Sequence, residues 1–399
     1  MTVAAIICEY NPFHNGHKYQ IDKIRKDLKA DYIIAIMSGD FVERGEPAVF
    51  PKEIRTKMAL QEGIDAVLEL PLPYAVASAD LFSYGAVSIL NRLNCVDYLV
   101  FGSECGDIDK LNDCAKVLSK NGTADSVVIK DYMKQGYTFA KARAMAFPGF
   151  EDILSHPNNV LALEYINALN EAKSCITPVT FARIGEEYHE TELPENTTNA
   201  SASAIRSKIY EGNPESVHNF MPIGAFSEMI PLRFIEPNDF SGELYYKLLS
   251  EPELTKYLDV SKDLENRIKN MLPTFTNLTA FVEALKVKNL TYARIMRALL
   301  HIFLNITGSG AYYRHKLSEL QFVRLLGFKK DSSGLLSIIK EKSDITPVTK
   351  VPDVIPEFNK FTKEIFELEL FASTIYDKVY SEKYDISFIP EYSKKLMII

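Results

Sequence analysis

VAAIICEYNPFHNGHKYQ, residues 3–20, is the stretch that decides the fold. Its first part is an apolar run with strand character that ends at Glu9 and Tyr10. Its second part carries two histidines three residues apart, His14 and His17, with Asn15 and Gly16 between them. A helical pattern starts at once, with Ile21, Ile24 and Leu28 on one face. In open α/β sheets the ligand lies beyond the C-terminal ends of the strands, so a turn between first strand and first helix is a binding position. Gly16 lets backbone approach a ligand, and the helix beside it points N–H groups and a positive dipole outward. Residues three apart at a helix start share one side, so both histidines can face a phosphate. Imidazole N–H groups there stabilise charge developing on a pentacovalent phosphorus and on departing pyrophosphate. Such chemistry needs position and charge, not a covalent nucleophile. Neither GxxxxGK[ST] nor GxGxxG occurs to compete with this turn.

Outward from the turn, strands and helices alternate. Residues 16–29 read as a helix, YIIAIM (32–37) as a strand, 52–62 as a helix and AVLELP (66–71) as a strand ended by prolines. Helix-like 77–93, strand-like YLVFG (98–102), helix-like 107–119 and strand-like PVTFARI (178–184) follow, then a short capped helix from Ser201 to Tyr210. This spacing predicts a parallel sheet covered on both faces. After about residue 235 the segments 241–258, 261–271, 278–285, 291–306, 314–327, 333–341 and 359–381 have helical spacing. Pro222, Pro231 and Pro237 punctuate the change. The expected architecture is an α/β domain over 1–235 followed by a mainly α-helical domain over 236–399.

The 399 residues suffice for two domains, and 47% hydrophobic with 25% charged residues describes a soluble globular chain. No apolar run approaches the roughly 20 residues that span a bilayer, and VAAIIC reads as a core strand, not a signal peptide. Cys8, Cys95, Cys105, Cys114 and Cys175 form no CxxC pair, which predicts free thiols in a reducing cytoplasm. The glycosylation-like match at Asn196 carries no meaning there. A net charge of −8 excludes an overall basic surface but leaves room for a local basic stripe.

Asn11-Pro12-Phe13-His14-Asn15-Gly16-His17 resembles the His-x-Gly-His turn of the nucleotidyltransferase superfamily, which includes class I aminoacyl-tRNA synthetases. Ser201-Ala202-Ser203-Ala204-Ile205-Arg206 matches the superfamily's phosphate-gripping Ser-x-Ser-x-x-Arg segment. The physics agrees: Ser201 can cap a helix whose N-terminus binds anions, and Arg206 adds a fork for phosphate oxygens. The blocks CEYNPFHNGH, MSGDFVERGEPAVFPK, RTKMAL, LELPLPYAVASADLF, FGSECGDI, PNNVLALEY and ARIGEEYH together resemble the bacterial tRNA(Met) cytidine acetate ligases. The resemblance runs over about the first 235 residues and continues more faintly beyond. It implies a Rossmann-like nucleotidyltransferase fold and a cytoplasmic ligase. Such an enzyme uses ATP, with Mg²⁺, and acetate to make acetyl-adenylate, then acetylates N4 of the wobble cytidine of elongator tRNA(Met). It implies further that ATP lies along Ile7, Cys8, Glu9, Tyr10, Asn11, Pro12, Phe13, Asn15, Gly16 and Lys18. Gly102, Asn158, Asn159, Arg183, Ser201 and Ser203 would complete that site, with His14, His17, Asp40 and Arg206 in catalytic roles.

Several positions keep more than one role. Asp40, at the end of the second strand, could hold Mg²⁺, orient the acyl acceptor or cap the next helix. Asn158 and Asn159 follow Pro157 in a predicted loop, where an amide can read the adenine edge or simply make a turn. Glu9 stands where many superfamily relatives have a small hydroxyl residue, and its charge disfavours a phosphorylated second substrate. Lys18, Arg44 and Lys52 are candidates for accepting acetate, and Arg55 and Lys57 for contacting RNA or phosphate. His156 and His189 read as ordinary polar residues. In the second half, Lys286, Lys288, Arg294, Arg297, His301, Arg314, His315, Lys316 and Arg324 interleave with Tyr292, Tyr312 and Tyr313. Basic groups with aromatics suit a folded RNA, and Arg294, Arg297 and Arg324 are the predicted tRNA contacts. The rival functions are a small-molecule nucleotidyltransferase that makes a dinucleotide cofactor and a catalytically inactive RNA-binding relative.

Overall fold

Strand β1 (Val3–Cys8) runs through the middle of the molecule, and the rest of the fold is arranged about it. The computed structural model describes residues 1–183, 193–194, 197–349 and 357–399, with backbone only at 120–126 and 140; His189 and Asn196 lie outside the described residues. The other strands are β2 (Tyr32–Ser38), β3 (Ala66–Leu70), β4 (Tyr98–Ser103), β5 (Thr177–Ala182), β6 (Phe322–Phe328), β7 (Thr346–Val348) and β8 (Met397–Ile398). They form one sheet in the order β5-β4-β1-β2-β3-β6-β7, with β8 paired to β6. Every pairing is parallel except β3 with β6. The chain leaves β1 toward β2 and β3 on one side and returns to β4 on the other. The crevice beyond the ends of β1 and β4 is therefore the topological switch point, where such sheets bind ligands.

Burial on both faces explains why β1 is apolar throughout. Val3 and Ala5 point into one core, shared with helices Ala79–Arg92 and Pro157–Glu171. Ala4, Ile6 and Cys8 point into the other, with helices Asn15–Asp27, Lys52–Gln61 and Ala202–Tyr210. The alternation is the period of two that a pleated strand imposes.

The second half is mainly helical, as expected, but it does not fold apart from the sheet. Helices Ser241–Ser250, Leu278–Leu285, Tyr292–Phe303 and Lys360–Lys383 contribute to the same core as Val3 and Ala5. Buried His301 spans the two halves, its ring nitrogens each 2.9 Å from a carbonyl oxygen, that of Leu258 and that of Val76. One expected element is corrected. Helical spacing over 314–327 predicted a helix; the structure ends that helix at Lys316 (Gly310–Lys316) and makes Phe322–Phe328 a strand. The run FVRLLGF suits a pleated surface, and it covers the edge of β3 that would otherwise present unpaired backbone groups.

Candidate active site

The histidine turn is built as a reciprocal helix cap. His14 has extended backbone and is the N-cap of Asn15–Asp27; its Nδ1 accepts the N–H of Gly16 at 3.1 Å. His17, in the first turn, accepts the backbone N–H of His14 on its own Nδ1 at 3.2 Å. The two rings stack with centroids 3.7 Å apart. A Cβ on Gly16 would lie 2.9 Å from Cε1 of His14, so a glycine is what lets the ring fold over the turn. Because both Nδ1 atoms accept, each neutral ring carries its proton on Nε2 and offers that N–H outward. Burial first, then the charges of Arg183 and Arg206, lowers the pKa of His14 to about 3. Burial, His14 and Arg183 push His17 well below its ordinary value. Both are uncharged donors at neutral pH.

The Ser-x-Ser-x-x-Arg segment docks directly on this turn. Ser201 caps Ala202–Tyr210 by accepting the N–H of Ala204 at 3.0 Å. From that helix Arg206 donates to the carbonyl of Asn11 at 2.8 Å and to Oγ of Ser203 at 3.3 Å. Asn11 accepts the Val49 N–H on its side chain at 2.7 Å, and Asn15 donates to the carbonyls of Thr198 and Asn219. Segments 195 positions apart thus make one surface. Tyr10 and Phe13 pack against His17 at centroid distances of 4.9 and 5.4 Å and wall off its inner side. Lys18 points away, paired with Asp22 at 2.7 Å.

Across the switch point, Arg183 follows β5 and donates its backbone N–H to the Ser103 carbonyl at 3.0 Å. A Cβ on Gly102 would stand 3.1 Å from Cγ of Arg183, so the Arg183 side chain packs closely over this glycine. Asn158 and Asn159 lie in the first turn of Pro157–Glu171, not in a loop. Glu104 holds both, accepting from Asn158 N and Nδ2 at 3.0 and 2.7 Å and from Asn159 N at 2.7 Å. Asn159 in turn accepts the Cys105 N–H at 3.1 Å. Sequence reasoning misses this role of Glu104; the signal that could have found it is an acidic residue just after a strand end, suited to the N-terminus of a neighbouring helix.

Other expected residues fall elsewhere. Asp40 is buried and its carboxylate is spent on the Lys52 N–H at 2.9 Å and the Ser373 hydroxyl at 3.0 Å. It accepts the first N–H of Lys52–Gln61; among the described residues no three His, Cys, Asp or Glu side chains gather as metal ligands. Lys52 has no access to acetate: fully buried, its Nζ lies 3.0 Å from Glu391, 3.1 Å from Glu69 and 2.7 Å from Ser373. Arg55 does not reach RNA either. Also fully buried, it donates to the carbonyls of Glu9, Ser38, Gly39 and Phe50 and so ties the ends of β1 and β2 together. Lys57 pairs with Glu228 at 2.8 Å. Cys8 is buried, its thiol pushed up by desolvation, which removes it as a nucleophile; Ile7 is partly buried against the core.

Among the three arginines predicted to hold tRNA, Arg324 is corrected. It sits on β6 with its side chain 11% exposed, Nη1 2.6 Å from Glu391 and 3.5 Å from Glu69. The strand pairs it with a buried glutamate and turns it inward. Arg297 is partly buried against Glu43 at 3.1 Å. Arg294 is exposed on the same helix.

The turn, the arginine fork and the switch point define an α/β enzyme that handles nucleoside phosphates with neutral donors and fixed cations. Comparison with known proteins agrees: the HIGH Nucleotidyl Transferase family matches residues 1–387. The tRNA(Met) cytidine acetate ligase of Thermoanaerobacter sp. strain X514 is 38% identical over 392 residues, covering 95% of this chain and 96% of the relative. That of Clostridium perfringens strain SM101 is 36% identical, covering 94% and 95%. Two solved structures of Thermotoga maritima TmcAL, one without ligand and one with alpha-thio ATP, superpose with TM-scores of 0.90 and 0.88 at 29% and 28% identity over the full length of both chains. The chain belongs to the tRNA(Met) cytidine acetate ligase family.

Proposed function

We propose that this protein activates acetate with ATP as acetyl-adenylate, releasing pyrophosphate, and transfers the acetyl group to N4 of the wobble cytidine of elongator tRNA(Met). The observation that carries this is the pair of neutral Nε2–H donors of His14 and His17 beside Arg206, at the β1/β4 switch point. Acetate oxygen attacks the α-phosphorus, and negative charge accumulates on the equatorial oxygens and on the leaving pyrophosphate. The two imidazoles donate into that charge, Arg206 and Arg183 offset it, and Ser201 and Ser203 line the helix start facing it. Gly102, Asn158 and Asn159 border the place where the adenosine would lie. ATP arrives with Mg²⁺ as its counter-ion. Half-buried Glu9, in the same crevice, disfavours a phosphorylated co-substrate and so argues against a dinucleotide product. No helix among the described residues is long and apolar enough to cross a membrane, and we place the enzyme with its tRNA in the cytoplasm. The helical half would hold the RNA, with Arg294 on its exposed surface and Arg297 at its junction with the site.

The test is incubation with ATP, labelled acetate and elongator tRNA(Met), followed by nucleoside analysis. Label in N4-acetylcytidine, dependent on ATP but not on coenzyme A, is expected. Adenylation of a small molecule without RNA labelling would overturn the reading.

A further inference from the structure

The loop from Phe41 to Pro47 crosses the ends of β1 and β2 as a tight hairpin. Phe41 bridges Pro47, Val42 N donates to the Glu46 carbonyl at 2.9 Å, and Gly45 turns at φ 81°. A Cβ on Gly45 would lie 2.4 Å from the backbone nitrogen of Arg297, so the hairpin is pressed onto helix Tyr292–Phe303. At its tip, Glu43 donates its N–H to Oε1 of Glu9 at 2.8 Å and accepts from Arg297 at 3.1 Å. Glu43 therefore stands where the end of β1 meets the helical half. The phosphate-binding residues adjoin the same spot, since Glu9 is two residues from Asn11, whose carbonyl accepts from Arg206 at 2.8 Å.

Resting on the function proposed above, we infer that Glu43 is the general base of the second half-reaction, taking the proton from cytidine N4 as it attacks acetyl-adenylate. An exocyclic amine conjugated with a pyrimidine ring is a weak nucleophile and needs its proton removed as the C–N bond forms. N4 attacks the acetyl carbonyl carbon, and the carbonyl π pair moves onto oxygen. The N4 proton passes to the Glu43 carboxylate. The carbonyl then re-forms as the C–O bond to phosphate breaks, and AMP leaves with that electron pair. Glu43 returns its proton to water.

The surroundings suit this. Burial chiefly, with Glu9 adding to it and Arg297 and Arg44 opposing it, raises the Glu43 carboxyl to about 6. Tyr165 approaches both glutamates from Pro157–Glu171, and Arg55 lies near Glu9. Asp259 is 3.9 Å from Nε of Arg297 on the far side. A carboxylate with such a pKa is mostly ionised at neutral pH yet basic enough to accept a proton in the transition state.

The experiment separates the two half-reactions. Acetate-dependent ATP–pyrophosphate exchange reports adenylate formation, and single-turnover transfer from preformed acetyl-adenylate to tRNA(Met) reports the second step across pH. Wild-type transfer should fall with slope one below an apparent pKa near 6. In Glu43→Gln, transfer normalised to exchange should drop about 10²- to 10⁴-fold and lose that acid limb. In Glu43→Asp the limb should persist at reduced rate. Removing the opposing cation in Arg297→Gln should move the limb to higher pH, a displacement that a purely structural ion pair would not produce. Normal normalised transfer in Glu43→Gln, or an acid limb unmoved in Arg297→Gln, overturns the assignment. Absence of exchange in the wild type overturns the proposed function itself, and with it this step.

Discussion

His14 and His17 stack at 3.7 Å and cap one helix together, each ring's Nδ1 bound to a backbone N–H. The arrangement makes their other nitrogens donors without using charge. His14→Asn keeps a good N-cap and removes the Nε2–H, so adenylate formation should fall about 10²- to 10³-fold while the helix survives. His17→Ala should lose about as much, and the double variant little more, since both act on the same phosphates. Single-turnover adenylate formation beside a thermal melt checks this; a wild-type rate in either variant would remove the turn from the chemistry.

The same histidines make stability depend on pH. Their folded pKa values lie below those of the unfolded chain, so between about pH 6.5 and the folded value the unfolded state binds more protons. Stability is therefore full above pH 6.5 and is lost as pH falls, with a limiting slope of about 1.4 kcal/mol per pH unit for each histidine. Urea denaturation at about pH 5 and about pH 7 should show a smaller loss in His14→Asn than in the wild type.

Arg206 makes two contacts through different guanidinium nitrogens, one to the histidine turn and one to Ser203. A lysine cannot reproduce that fork. Arg206→Lys should raise the KM for ATP about tenfold, a loss of about 1.4 kcal/mol, with little change in melting temperature. Initial rates over an ATP titration decide it, and an unchanged KM would place the arginine outside the phosphate site.

Arg324 and Arg294 should behave as opposites. Arg324→Met leaves Glu391 and Glu69 with one cation fewer in the interior and should cost about 3–5 kcal/mol of stability. Arg294→Glu should leave the melt unchanged, weaken tRNA binding and reduce the log–log salt slope by about one. Denaturant melts and gel shifts at several salt concentrations separate the two; equal effects in both assays would refute the distinction.

Asp40 should prove a residue of stability and not of turnover. Asp40→Ala orphans the Lys52 N–H and the Ser373 hydroxyl and weakens the buried cluster around Lys52, at a cost of about 2–4 kcal/mol. Exchange rate per folded molecule, with the folded fraction measured by circular dichroism, should stay within a few-fold of wild type. A loss of several orders of magnitude in fully folded protein would restore the catalytic role.

What the sequence by itself determined was local. The βα turn was legible because its causes lie in one contiguous stretch, from Val3 to Leu28: an apolar strand, a capping residue, a glycine and a helical period. The Ser201 cap was legible for the same reason, and strand–helix alternation fixed the order of the first five strands in the chain. The tertiary structure decided which charges face solvent and which short apolar runs are strands. Asp40 carries the signal of a site residue at a strand end, and only the fold shows that Ser373, 333 positions on, is its partner. Lys52, Arg55 and Arg324 carry the residue types of a phosphate or RNA surface, yet each is turned inward by groups remote in sequence. Phe322–Phe328 fits either period, and the open edge of β3 made it a strand. Helix caps and periodicity act over a few residues, whereas burial of a charge depends on partners that only the folded chain brings within 4 Å.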